Sequence, residues 1–213
     1  MKDLIMRTPM NILAIGPHPD DFEYGCGGTL YKMSKQGHKI HLLIMTNGQM
    51  GGNVKVRRKE QEASAKILNA KLFWGNYKDT EVPIEKSTIN LIENHIKKIK
   101  PDMIFTPFPN DTHQDHRHVS QATITATRYV KNVLFFEVPT TVSFEPASVF
   151  VDIGNVLKDK SRLLEAHKSQ VYATRVADLS IMESADAIAL YRGFQNRVKY
   201  AEAFVPLRLQ ILL

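Results

Sequence analysis

Two short clusters, Pro17-His18-Pro19-Asp20-Asp21 and His113-Gln114-Asp115-His116, stand roughly a hundred residues apart and together hold three histidines and three carboxylates. Imidazole nitrogen and carboxylate oxygen are the ligand atoms a catalytic Zn²⁺ takes, three from the protein with a fourth position left to water. Cys26 is the one cysteine, so neither an intrachain disulfide nor a thiolate cage is available and any metal must be held by His and Asp. The adjacent side chains of Asp20 and Asp21 diverge, so one can ligate while its neighbour serves as base. His18 and Asp21 lie three apart in a loop entering a helix, close enough to share an ion, and His116 would complete a two-His, one-carboxylate set. Such an ion keeps enough charge to bring a bound water's pKa down towards ~7. Either cluster alone is also explained as a turn with an Asx hydrogen bond; the two together at strand ends are not.

The elements that must position them alternate between apolar runs and helix-length segments of mixed polarity, the pattern of a parallel sheet with crossover helices. Residues 11–15 read as strand one, followed by the first cluster and a helix to about Gln36, closed by Gly37. Residues 39–46 read as strand two, 47–53 as a Gly-rich loop, 54–69 as a charged amphipathic helix and 72–74 as a short strand three. A helix capped by Ser87 or Thr88 carries Ile89, Ile92, Ile96 and Ile99 at helical spacing and stops before Pro101. Strand four, 103–106, delivers the second cluster. Then come a helix over 118–130, strands at 133–138 and 149–153, helices over 156–168 and 181–194, and an apolar end at 203–213. This predicts one α/β domain over 1–213, Rossmann-like, with a mostly parallel sheet flanked by helices on both faces. In the strand order 3-2-1-4-5, strands one and four are neighbours where the winding reverses, and both clusters fall at their carboxyl ends, where ligands bind.

Composition narrows the partners. The 213 residues are 43% hydrophobic and 23% charged, ordinary globular usage that excludes disorder as the dominant state. An acidic residue and Pro9 interrupt the first residues where a secretory signal needs an apolar stretch, and no run of about 18 apolar residues follows. A soluble, cytoplasmic protein without a membrane partner is expected. The net charge of +6 is spread in pairs such as Arg57-Arg58 and Lys97-Lys98, which reads as solvated surface rather than a nucleic-acid tract. Lys158, Lys160 and Arg162 read the same way, His38 and His41 as surface, and Trp74 and Phe108 as packing residues. The glycines of Gly25-Cys26-Gly27-Gly28 are offset from a dinucleotide fingerprint, which needs glycine where Leu30 stands, and two carboxylates precede them. They are expected to let the helix lie close on the sheet.

At these residues the chain resembles the PIG-L/LmbE-like de-N-acetylase family, zinc enzymes that remove acetyl groups from N-acetylglucosamine-containing molecules. The resemblance rests on His18-Pro19-Asp20-Asp21 and His113-Gln114-Asp115-His116. It is supported by Thr46-Asn47-Gly48, Arg57 with Glu60, Asp152, His167-Lys168-Ser169-Gln170 and Tyr200-Ala201-Glu202-Ala203-Phe204. It implies that His18, Asp21 and His116 bind the metal and that Asp20 is the general base. It further implies that His113 assists at the tetrahedral intermediate or the leaving amine with Asp115 tuning it, that Arg57 grips substrate hydroxyls or phosphate, and that Tyr200 stabilises the oxyanion. Relatives also tend to associate, so a homo-oligomer is an expectation. The chain departs from the family at Asn69, where glycine is usual, and in the 48–53 loop, which lacks an acidic residue.

The chemistry then expected is amide hydrolysis of an N-acetylated amino sugar or its conjugate, with Zn²⁺, or Fe²⁺ in its place, and with Asp20 or His113 protonating the leaving amine. Two other readings use the same residues: a non-haem Fe(II) protein, which has no need of the second carboxylate, and a metal-stabilised sugar- or nucleotide-binding protein.

Overall fold

The computed structural model describes residues 8–210. Residues 1–7, and 211–213 of the expected apolar end, lie outside the described residues. Five strands run parallel: β1 (Asn11–Gly16), β2 (Lys39–Thr46), β3 (Lys71–Tyr77), β4 (Met103–Pro107) and β5 (Val133–Phe136). β6 (Val149–Asp152) and β7 (Ala201–Arg208) complete a seven-stranded sheet in the order β3-β2-β1-β4-β5-β7-β6, with β7 antiparallel to both of its neighbours. The order 3-2-1-4-5 expected from the sequence is present, extended by an antiparallel edge.

Both faces of the sheet are covered, which is why its central strands are apolar throughout. Ile12, Ala14, Leu42 and Ile44 pack on one side with Phe22 and Leu30 of α1 (Asp21–Lys35), Ala65 of α2 (Val54–Ile67) and Leu163 of α5 (Leu157–Glu165). Leu13, Ile15, Leu43 and Met45, alternate residues of the same strands, pack on the other. Their partners there are Ile92 and Ile99 of α3 (Lys86–Ile99) and Val119 and Ala122 of α4 (Gln114–Ala126). The glycines of α1 serve close packing as expected: a Cβ on Gly25 would overlap the Phe136 ring, and one on Gly28 would sit 2.9 Å from Ile153.

Four readings need correction. α4 starts at Gln114 rather than near His118, because His113 caps it, its Nδ1 accepting the Asp115 amide at 3.2 Å. The second cluster is therefore the first turn of a helix. α3 starts at Lys86 behind Glu85; Ser87 and Thr88 hydrogen-bond to Glu85 and Pro83 instead of capping. His38 and His41 are buried, His41 stacking on Phe73. Lys160 is also buried, donating to Glu202 at 2.6 Å. Glu202 in turn accepts the amides of Gly28 and Thr29, capping the second half of α1 beyond its kink at Cys26. Among the described residues no helix is long and apolar enough to cross a membrane.

Candidate metal centre and active site

β1 ends at Gly16 and the chain turns through Pro17–Asp20, held to the end of β2 because Thr46 donates to the Pro17 carbonyl from both its amide and its hydroxyl. Asp20 adopts φ 93°, a left-handed backbone that costs a non-glycine residue about 1–3 kcal/mol and persists only when its surroundings hold it. They do: Gln61 of α2 accepts the Asp20 amide at 3.2 Å, and Arg57 Nη2 of the same helix donates to the Pro19 carbonyl at 2.6 Å. Asp21 then opens α1, and its Oδ2 accepts the His18 amide at 2.8 Å.

β4, the neighbour of β1, delivers His113 and His116 to the same end of the sheet. His18 Nδ1 lies 3.2 Å from His116 Nε2, and His116 Nε2 lies 3.3 Å from Asp21 Oδ1. His18, Asp21 and His116 can present one ligand atom each within 4.8 Å of one another. The opposite ring nitrogens face carboxylates: His18 Nε2 lies 3.0 Å from Asp79 and 3.3 Å from Asp115, and His116 Nδ1 lies 3.0 Å from Asp111. This is the support that ligating imidazoles receive, fixing each ring and raising its basicity. A second grouping of His18, His113 and Asp115 meets the same distance limit. There, however, Asp115 is already bound by the amides of Thr80 and Val82.

Charge points the same way. Although burial opposes ionisation of Asp21, His116 and His18 hold its carboxyl far below the usual range. Asp79, Asp111 and Asp115 are also lowered against burial, mainly by their imidazole contacts. Conversely, these carboxylates outweigh burial at the imidazoles, raising His116 to about 9 and His18 well above its ordinary value. Four carboxylates gathered on two histidines make a site that needs cationic charge, and with neutral imidazoles a divalent ion supplies it. The donor set fits a metal.

Beside this set, burial raises the Asp20 carboxyl from 3.8 to about 6, opposed by the Arg57 guanidinium 3.4 Å away. His113 packs edge-on to His18, ring centroids 4.6 Å apart, and burial lowers its pKa. With Nδ1 accepting the Asp115 amide, a neutral His113 carries its proton on Nε2. His18, Asp20, Asp21, Arg57, His113 and His116 all line one cavity of about 480 Å³.

Two expected residues stand elsewhere. The Asp115 carboxylate binds His18 and the 80–82 backbone rather than the His113 ring, so it orients the His18 imidazole. Tyr200 packs on the cluster of Ile153, Val156 and Ala189, away from the cavity lining. Sequence reasoning missed Asp79 and Asp111, which lie beyond the carboxyl ends of β3 and β4, and missed the Gln61–Glu23–His167 group beneath Asp20. Gln61 and Ser64 donate to Glu23 at 2.8 and 2.5 Å, and His167 lies 3.5 Å from it. Position after a parallel strand was the available signal for the two aspartates.

Comparison with known proteins matches residues 13–127 to the family described as PIG-L, GlcNAc-PI de-N-acetylase. A diacetylchitobiose deacetylase of Thermococcus kodakarensis is 32% identical across 96% of this chain and 88% of its own length. An uncharacterised deacetylase of Escherichia coli, YaiS, is 35% identical across 74% of this chain and 90% of its own. Among solved structures, N,N'-diacetylchitobiose deacetylase from Pyrococcus horikoshii, bound to an inhibitor, superposes with a TM-score of 0.82 at 26% identity. That match covers 93% of this chain and 84% of the other. The chain belongs to the PIG-L family of de-N-acetylases.

Proposed function

We propose that this protein hydrolyses the acetamide of an N-acetylated amino sugar or its conjugate, releasing acetate and the free amine. The observation that carries the reading is the division of labour between neighbouring carboxylates: Asp21 faces His116 while Asp20, turned away by its left-handed backbone, faces Arg57 and the cavity. His18, Asp21 and His116 would hold the metal, zinc by the preference of this donor set. When bound it supplies Lewis acidity and a water of lowered pKa.

The chain's own residues supply the rest. Asp20 takes the proton of the attacking water as its oxygen bonds to the amide carbon. His113 Nε2–H donates a hydrogen bond to the oxygen that gains charge. Asp20 returns the proton to the nitrogen as the C–N bond breaks, since an amine leaves only when protonated. Gln61 and Arg57 keep Asp20 in position throughout, and Asp115, Asp79 and Asp111 keep the imidazoles oriented.

Support also comes from the relatives, whose names state deacetylase activity on N-acetylated sugars. A panel of N-acetylhexosamine conjugates, assayed for released acetate with metal-loaded and chelator-stripped protein, tests the reading. Acetate from at least one conjugate, lost on stripping and restored by Zn²⁺, is expected. Equal release after stripping, or none from any conjugate, contradicts it.

A further inference from the structure

The helix α6 (Ile181–Gln195) is apolar on opposite faces, and the described residues cover only one of them. Its small residues turn inward: Ala185 joins the main core, Ala189 packs with Ile153 and Val156, and a Cβ on Gly193 would overlap the Lys199 carbonyl. Its large residues turn outward, with Leu190 51% exposed, Tyr191 55% and Phe194 73%. Ala187 is exposed one turn before them, so 187, 190, 191 and 194 form a single stripe at helical spacing. Scattered apolar side chains on a surface need no partner, but a helix that is apolar all round belongs in an interior.

The outward aromatic residues are already held. The Tyr191 ring lies 5.2 Å from the Arg192 guanidinium, and its hydroxyl accepts Gln195 Nε2 at 3.3 Å. Arg192 is fixed in turn by both oxygens of Glu137, each at 2.7 Å. Aromatic anchors ordered in advance lose little freedom on docking.

Opposite charges close the two ends of the stripe. Asp186 is exposed at one end. Arg197 is exposed at the other, just beyond the helix, with its guanidinium 5.7 Å from the centre of the Phe194 ring. Among the described residues neither is paired with an opposite charge. Their separation along the chain is about three helical turns, which puts them on one side of α6. A two-fold axis crossing the helix midway between them, near Tyr191, therefore brings Asp186 of each copy to Arg197 of the other and lays the apolar stripe on its own counterpart. The face carries its own complement, acid against base at both ends, which a lipid surface or a partner of one charge sign does not match.

We infer that this face is an interface between two copies of this chain, with α6 packed antiparallel on α6 of the second copy about a two-fold axis. Leu190, Tyr191 and Phe194 are its buried centre, and the Asp186–Arg197 pairs set its direction. None of these residues lines the cavity, so association here is tested apart from catalysis.

Sedimentation equilibrium of the metal-loaded full chain over a wide concentration range tests it. Wild type should form a closed assembly with an even number of copies. Leu190→Glu, which sets two carboxylates at the centre of the interface, should halve that assembly by weakening the contact on the order of a hundredfold. Asp186→Arg and Arg197→Asp each oppose like charges at both ends and should each weaken it roughly tenfold. The double variant Asp186→Arg/Arg197→Asp should return to within about threefold of wild type, because the exchanged charges meet their opposites again across the axis. All these positions are exposed, so circular dichroism and the urea midpoint should stay near wild type and loss of association is not loss of fold.

A monomer at every concentration, or an odd-numbered assembly, overturns the interface. So does an assembly that Leu190→Glu leaves intact, since association then uses another surface. A double variant no tighter than the single charge reversals overturns the antiparallel pairing.

Discussion

Gln61 is fully buried, is absent from the cavity lining, and accepts the Asp20 amide with its side-chain oxygen, so Gln61→Met tests what holding Asp20 is worth. The native amide accepts the Asp20 N–H at 3.2 Å and donates to Glu23 at 2.8 Å. Methionine keeps the length and removes both bonds. An amide left without a partner costs about 1–3 kcal/mol, and the bond lost to ionised Glu23 belongs to the stronger charge-assisted class. Glu23 keeps Ser64 and the nearby His167, which limits that second loss. Stability to urea should therefore fall by about 2–4 kcal/mol. The left-handed turn at Asp20 stores about 1–3 kcal/mol of its own. Without Gln61 the loop relaxes and carries the carboxylate away from its working position, and a displacement of about 1 Å costs on the order of 10²-fold in rate. Asp21 and His18 stay tied to each other through the His18 amide. The variant should thus show kcat lower by about 10²-fold, KM within a few-fold and metal content near wild type. Steady-state acetate release, metal analysis and urea unfolding on one preparation decide it. A kcat within threefold of wild type would refute the claim that α2 sets the base, and metal lost in step with kcat would show that Gln61 serves the ligand set instead.

Three further outcomes follow from other contacts. His116→Ala should purify with less than a tenth of the wild-type zinc per chain, and unchanged stoichiometry by elemental analysis would remove His116 from the ligand set. Arg57→Ala should lower kcat more than it raises KM, because Nη2 is spent on Pro19 and Asp20; a rise in KM alone would return Arg57 to the substrate-contact role implied by resemblance. Lys160→Met leaves Glu202 buried without its cation and should cost about 3–5 kcal/mol, part of it recovered in Lys160→Met/Glu202→Gln, where the charge is gone and the one glutamine oxygen still accepts one of the two amides that Glu202 caps. Urea unfolding showing less than 1 kcal/mol for the single variant would mean that the pair is solvated.

The central parallel strands were legible because strands buried on both faces leave continuous apolar runs, and residues 11–15, 39–46 and 103–106 are such runs. The clusters were legible because each carries several ligand-type residues within five positions. What escaped depends on contacts far apart in the chain. Lys160 looks like part of a solvated helix face until Glu202 is folded against it, 42 residues away. Asp79 and Asp111 are single carboxylates in loops, and their contacts with the His18 and His116 imidazoles join residues not adjacent in the chain. The start of α4 was misplaced because histidine is an unusual N-cap, and the contacts of Asp115 were not legible because its side chain turns to β3's exit loop rather than to its near neighbour. Tyr200 was assigned by resemblance alone, and the packing of the segment before β7 takes it elsewhere.

The central claim is that Asp20 moves the proton while its neighbour Asp21 binds the metal. Zinc content and acetate release from N-acetylated amino sugars, measured on Asp20→Asn beside wild type, test it most directly. The account predicts unchanged zinc and acetate release lower by at least about 10³-fold. Near wild-type release, or zinc lost from Asp20→Asn, would contradict it.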